Sequence, residues 1–209
     1  MKIAIFGGTG GTGKYIVSKA LADGHDVVAL ARTPAKLDAH PQLSIVQGSV
    51  VDADCVEEVV QGADVVISAL APPNNKPDYV ISQGIEHILT AMQKHDVQRI
   101  VLTAGAGVEM PGDQPTFVSK FFAFLLRTFS RYVVEDMEQV VHKVVESDRE
   151  YVIGRAPRLT NEPAKGHVNA GSVGDPKLGT SLSREDFAQF IYDQIDDDTW
   201  LNQAPALSN

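Results

Sequence analysis

The residues with the plainest chemistry are seven near the start of the chain, Gly7-Gly8-Thr9-Gly10-Gly11-Thr12-Gly13. A pyrophosphate can approach a backbone closely only where Cβ atoms are missing. The free N–H groups and positive dipole end of a following helix then hold its charge. The spacing reads two ways. Gly8-x-Gly10-x-x-Gly13 fits the six-residue dinucleotide fingerprint, and Gly7-x-x-Gly10-x-x-Gly13 fits a more open form of it. Such a motif means dinucleotide binding when it leaves a strand and opens a helix; elsewhere it is a flexible glycine turn.

Arg32 is the second candidate. Where NAD is selected, an acidic side chain near the end of the second strand binds the ribose 2′-hydroxyl, whereas an Arg there suits a 2′-phosphate. The segment reads Ala29-Leu30-Ala31-Arg32-Thr33 and holds no Asp or Glu. A guanidinium binds phosphate in fork geometry, where a carboxylate would repel it. This favours NADP(H) over NAD(H); the alternative is an Arg that only solvates a strand end.

These residues need particular elements around them. Lys2–Phe6 (KIAIF) is a short apolar run suited to a buried strand, and it leads straight into the glycines. Residues 14–21 follow with Ile16, Val17, Ala20 and Leu21 on one helical face, and Asp26–Ala31 makes a second strand ending at Arg32. Strands at Leu43–Gln47, 65–69, 99–103 and 151–154 then alternate with helices at about 53–61, 79–95 and 133–147. This alternation predicts an α/β fold, a doubly wound parallel sheet in a single domain over residues 1–209.

Two segments exceed that wiring. Residues 109–131 form an insertion after the fifth strand with Phe117, Phe121, Phe122, Phe124 and Phe129, and residues 155–182 are a Gly/Pro-rich region after the sixth. In doubly wound sheets the ligand crevice lies at the carboxyl ends of the strands, and both segments leave from those ends. Either the phenylalanines form a flap that stacks on a flat ligand, or they are ordinary core or an oligomer contact.

Composition narrows the partners. A net charge of −9 leaves no basic stripe, which argues against nucleic acid and against anionic membrane surfaces. A single Cys, Cys55, excludes an internal disulfide and a cysteine metal cluster. Its neighbours Asp52, Asp54, Glu57 and Glu58 should raise its pKa. His25, His40, His87, His95 and His167 show no metal spacing, so no metal is expected. Residues 117–129 are too short to span a bilayer and are broken by Lys120 and Arg127. Met1 stands one residue before the first strand, so no targeting extension and a cytoplasmic location are expected.

The stretches IAIFGGTGGTGKYIVSKALADGHDVVALART, RIVLTAGAGV and HKVVESDREYVIGRAP resemble the atypical short-chain dehydrogenase/reductase proteins. Within them, the chain is most similar to the flavin reductase/biliverdin-IXβ reductase and NmrA-like branch. The likeness runs over essentially the whole chain, including the SLSREDFAQFI helix start. It implies a Rossmann NAD(P)-binding fold, with NADPH on the glycine loop and its 2′-phosphate at the end of the second strand. That carries onto Gly7, Thr9, Gly10, Gly11, Thr12, Gly13, Arg32 and Thr33. The adenine is implied near Ser49, Val50, Val51 and Asp52, and the nicotinamide ribose near Ala69, Leu70, Ala71, Thr103, Ala104 and Gly105. The loop Arg155-Ala156-Pro157 is implied to line the nicotinamide pocket.

The chain departs from ordinary short-chain dehydrogenases in its catalytic residues. Those proteins use a Tyr-x-x-x-Lys pair in which Lys lowers the Tyr pKa. The match here, Tyr15-x-x-x-Lys19, falls on the first helix and reads as chance, and Tyr132 is followed by Asp136. The usual Ser near the end of the fifth strand is replaced by Thr103 or lost to Gly105. Thr103 either hydrogen-bonds a substrate carbonyl or is a structural β-branched strand end. His142 either serves as an acid or stands on a solvated face opposite the Val133, Met137, Val140 and Val144 stripe.

Without a visible proton relay, the resemblance implies an NADPH-dependent oxidoreductase that passes hydride to a flavin, quinone or similar flat acceptor. Solvent can then supply the proton, and the protein's work is positioning. The alternative is an NmrA-like NADP-binding redox sensor without turnover; an epimerase or dehydratase would need an acid/base pair. The expected partners are a small-molecule acceptor and at most a second copy, as monomer or homodimer.

Overall fold

The computed structural model describes every residue except Val118, Ser119 and Phe122, so the expectation on Phe122 lies outside the described residues. Ile3, Ala4, Ile5 and Phe6 are completely buried, the burial of a central strand covered on both faces. This strand, β1 (Lys2–Phe6), pairs in parallel with β2 (Asp26–Ala31) on one side and β4 (Val65–Ser68) on the other. Beyond β2 lies β3 (Leu43–Gln47); beyond β4 come β5 (Arg99–Gly105) and β6 (Glu150–Ala156), all parallel. The order β3-β2-β1-β4-β5-β6 reverses direction between β1 and β4. That reversal is the switch point at which a Rossmann sheet opens a crevice for a ligand.

Alternate residues of β1 feed two cores. Ile3 and Ile5 pack with Ile16, Val17 and Ala20 of α1 (Gly11–Ala22) and with Phe187 and Ile191 of α6 (Arg184–Asp193). Ala4 and Phe6 face the other way, toward α2 (Ala53–Val60), α3 (Val80–Lys94) and α5 (Arg131–Val145). There Ile81, Ile85, Ile88 and Met92 of α3 meet Met137, Val140 and Val144 of α5, the two stripes legible at helical spacing. Each fully buried side chain of this size is worth about 1.5–3 kcal/mol.

Several expected boundaries shift. Helix α1 starts at Gly11 rather than residue 14, so the last three residues of the glycine run, Gly11 to Gly13, already belong to its first turn. The insertion 109–131 carries helix α4 (Phe117–Phe129), and α5 begins at Arg131 rather than 133. Its described phenylalanines are not core: Phe117, Phe124 and Phe129 are 87%, 65% and 74% exposed, and Phe121 is half-exposed. The Gly/Pro-rich region contains β7 (Arg158–Thr160) and β8 (Asn169–Gly171), followed by β9 (Ser181–Ser183) before α6. β7 and β9 form a separate parallel pair, while β10 (Ala206–Ser208) extends the main sheet beside β6 and pairs with β8. Strands of three residues are too short to show a period, and tertiary pairing alone creates them. Among the described residues no helix is long and apolar enough to cross a membrane.

Candidate functional site

The glycine loop is tight because two of its residues tolerate no side chain. Gly7 sits at φ +82°, and a Cβ there would lie 2.5 Å from the Ala69 carbonyl oxygen of the loop after β4. A Cβ on Gly13 would lie 2.1 Å from the Gly7 carbonyl oxygen. The first turn of α1 therefore nestles against the end of β1, held by hydrogen bonds from Gly10 N–H to Gly7 O (2.9 Å) and Lys14 N–H to Gly10 O (3.0 Å). Gly10, at the helix start, provides no side-chain cap, and the first turn holds no acidic residue. Its amide groups and dipole thus face the cleft without a competing anion.

A cleft of about 610 Å³ opens from this loop. At the β2–β3 side it is bordered by Arg32, Ser49 and Val50. It crosses the carboxyl ends of the central strands at Ala69, Leu70, Ala71, Thr103, Ala104 and Gly105, and reaches Ala156 and Pro157 beyond β6. Its far wall is apolar: Leu126 of α4 and Val133, Val134 and Met137 of α5. Among the described residues that line it, the charged side chains are Arg32 and Arg184 alone; Thr9, Thr12, Ser49, Thr103 and Ser130 supply hydroxyls. Arg32 is exposed and makes no hydrogen bond or ion pair among the described residues. The cleft thus brings together sixteen of the residues expected to bind cofactor, Thr103 among them.

Besides the exposed Val51, four other cofactor candidates lie outside the lining. Gly13 packs under the loop, and Thr33 faces solvent past the end of β2. Asp52 is the N-cap of α2, accepting from the amides of Asp54 (3.1 Å) and Cys55 (3.3 Å). Arg155 is 1% exposed, and its guanidinium points into the protein. It donates to Val108 O (2.8 Å), Ala204 O (2.7 Å) and both carboxylate oxygens of Asp113 (2.6 and 2.9 Å). Its expected place in the nicotinamide pocket is corrected to one behind the wall. The reason is that Asp113, which also accepts from Met110 and Val173 amides, provides a buried anion. His142 is likewise no pocket acid: its side chain is 71% exposed and pairs with Glu146 at 2.9 Å.

The Tyr132 and Asp136 positions have structural work of their own. Asp136, 3% exposed, accepts from Ile81 N–H (3.2 Å) and Ser82 N–H (2.8 Å), capping α3 from its neighbour α5. The Tyr132 amide donates to the Asn75 side chain (3.0 Å), whose amide donates to Phe129 O (2.9 Å). Asn75 therefore clips the loop after β4 to the α4–α5 junction across the cleft's apolar end. Cys55 titrates high as expected, though desolvation leads and Asp52 follows.

Sequence reading missed Arg184, which meets the glycine loop from α6. Ser183 N-caps that helix: its hydroxyl accepts from Asp186 N–H (3.1 Å) and donates to the Asp186 carboxylate (2.6 Å). Burial pushes the Asp186 carboxyl up, but the Ser183 hydroxyl, the Lys165 and Gly166 amides and Asn209 outweigh it and hold it below its ordinary value. The available signal was the Ser183-x-x-Asp186 spacing, which resembles a capping box. Ser183→Ala should cost about 0.5–2 kcal/mol of stability, read as a lowered urea midpoint at unchanged slope.

Residues 7–198 match the family model described as NAD(P)H-binding. The chain belongs to that family. A 3 beta-hydroxysteroid dehydrogenase/Delta 5→4-isomerase of Mycobacterium tuberculosis is 33% identical over 123 residues, covering 53% of this chain and 33% of that protein. The chain thus spans about a third of the length of that curated relative. Among solved structures, a short-chain dehydrogenase/reductase from Veillonella parvula in complex with NADP shares the fold at TM-score 0.81 and 20% identity, covering 100% of this chain and 94% of that one. ChuY, an anaerobillin reductase from Escherichia coli O157:H7, does so at TM-score 0.81 and 19% identity, covering 100% and 97%. The expected doubly wound Rossmann sheet agrees with both.

Proposed function

We propose that this protein is an NADPH-dependent reductase that passes hydride to a flavin, quinone or similar flat acceptor. The observation that carries the reading is the make-up of the cleft. One end offers an unpaired guanidinium and a Cβ-free cradle, the other an apolar wall, and no described lining residue is a carboxylate, imidazole, phenol, amine or thiol. The two-ended cleft fits a long anionic cofactor with an aromatic head. The absence of titratable groups other than Arg among those lining residues suits an acceptor that takes its proton from water rather than from a side chain.

The chain's residues then divide the work. The α1 amides hold the pyrophosphate, and Arg32 holds the 2′-phosphate. Leu70, Thr103 and Pro157 confine the nicotinamide, and Val133, Val134 and Met137 exclude water from the acceptor face. Bound NADPH supplies the hydride. In this reading Thr103, on the cleft lining, donates its hydroxyl to an acceptor carbonyl. Arg32→Ala should weaken NADPH binding by about 1.5–3 kcal/mol and leave NADH nearly unchanged, as read by fluorescence titration. Equal losses for both cofactors would remove Arg32 from the 2′-phosphate.

The same lack of a proton donor supports a second reading, an NADP-binding sensor that reports cofactor state to a partner without turnover. Following the nicotinamide absorbance with FMN, riboflavin and a small quinone added in turn separates the two. Acceptor-dependent oxidation well above background supports the reductase. Tight NADPH binding with no acceleration by any of these acceptors supports the sensor.

A further inference from the structure

The cleft holds a second cation that the glycine motif does not require. Arg184 is the first residue of α6, and α6 lies along α1: Phe187, Ala188 and Ile191 are buried between them and the sheet, and the Tyr192 hydroxyl donates to Asp23 at the end of α1 (2.9 Å). This packing sets the Arg184 side chain across the loop. A Cβ built on Gly11 would lie 3.3 Å from Arg184 Nε, 3.4 Å from Cδ and 3.7 Å from Cζ. Arg184 Nε donates to Asn161 Oδ1 (2.8 Å), from the segment after β7, which fixes the plane of the guanidinium and leaves both terminal nitrogens uncommitted. No carboxylate pairs with Arg184 among the described residues, although Glu185 and Asp186 follow it directly.

An unpaired, oriented guanidinium held against open helix amides has one plain chemical match, a phosphate bound by both. We propose that Arg184 closes over the glycine loop as the side-chain counter-ion of the dinucleotide pyrophosphate, with Asn161 as its positioning residue. This rests on the cofactor reading above. It gives the two arginines different duties: Arg32 discriminates between cofactors, whereas Arg184 grips the part they share. A Cβ at position 11, where φ is ordinary, would crowd the guanidinium and shift it by a few tenths of an ångström.

The test is a set of affinities on Arg184→Gln, Asn161→Ala and Arg32→Ala, with NADPH, NADH and 2′-AMP, which carries the 2′-phosphate but no pyrophosphate. Arg184→Gln should weaken NADPH and NADH alike, by about 10- to 100-fold, the range for a charge-assisted hydrogen bond, and leave 2′-AMP within about twofold. Asn161→Ala should show the same pattern, smaller, and Arg184→Lys should recover part of the loss for both dinucleotides. The Arg32→Ala pattern should be its complement, with NADPH and 2′-AMP weakened and NADH spared. Dinucleotide affinities unchanged within about twofold in Arg184→Gln would overturn the proposal. So would a loss that extends to 2′-AMP, or one accompanied by a lowered Tm, since either would mark a general structural effect. Wild-type protein that binds neither dinucleotide would instead remove the cofactor reading itself.

Discussion

Asp113→Ala will destabilise the fold by about 3–5 kcal/mol, the cost of leaving a buried charge without its partner. The stranded group is Arg155, 1% exposed and packed behind the cleft. Asp113, whose own loop after β5 is braced by the Met110 amide, ties two distant segments together: the one before residue 175 through Val173, and β6 through Arg155. Replacing both partners, as Asp113→Leu with Arg155→Met, should restore much of the loss, because an apolar pair has no desolvation penalty to offset. Chemical denaturation of the three variants checks this, and a single variant as stable as wild type would contradict it.

The pair also carries a pH signature. Burial raises the Asp113 carboxyl, but the Arg155 guanidinium and the two amides outweigh it, so its pKa in the folded chain lies below the ordinary 3.8. A depressed carboxyl contributes stability that is complete above the unfolded pKa and is lost as pH falls through the folded one. Wild type should therefore lose stability relative to the double apolar variant below about pH 4.

The second large effect is at Gly13. Gly13→Ala should cost about 1–3 kcal/mol of stability and at least about 100-fold in NADPH affinity. Its Cβ would have to displace the Gly7 carbonyl, 2.1 Å away, and with it the loop backbone that lines the cleft. Gly105→Ala is the contrast. It lines the same cleft, yet a Cβ there meets nothing within 4 Å, so stability should stay within about 0.5 kcal/mol. Similar thermal and binding losses in both variants would show that the cradle does not depend on close approach at Gly13.

What was legible in the sequence was local or periodic. β1, the glycine run and Arg32 are adjacent in the chain, and a buried strand, a Cβ-free turn and a strand-end cation each announce themselves by residue type. The stripes of α3 and α5 repeat every turn and fell on the buried faces. Arg155 was misread because nothing in its own neighbourhood shows that Asp113, on another loop, draws its side chain inward. Arg184 was missed for the converse reason: its contact with Gly11 exists only because α6 docks on α1. For the phenylalanines of α4 a ligand flap, core and an oligomer contact stood open, and composition alone could not show that Phe117, Phe121, Phe124 and Phe129 are exposed. β8 and β10 exist through pairing at the sheet's edge, which no three-residue window can display.

The proposed reductase requires that this cleft take NADPH and distinguish it from NADH through the unpaired Arg32. Side-by-side calorimetric titration of the wild-type protein with the two cofactors tests it most directly. One NADPH per chain is expected, bound at least about tenfold more tightly than NADH, the least a charge-assisted contact to the 2′-phosphate should add. Equal affinities, or tighter NADH, would contradict it.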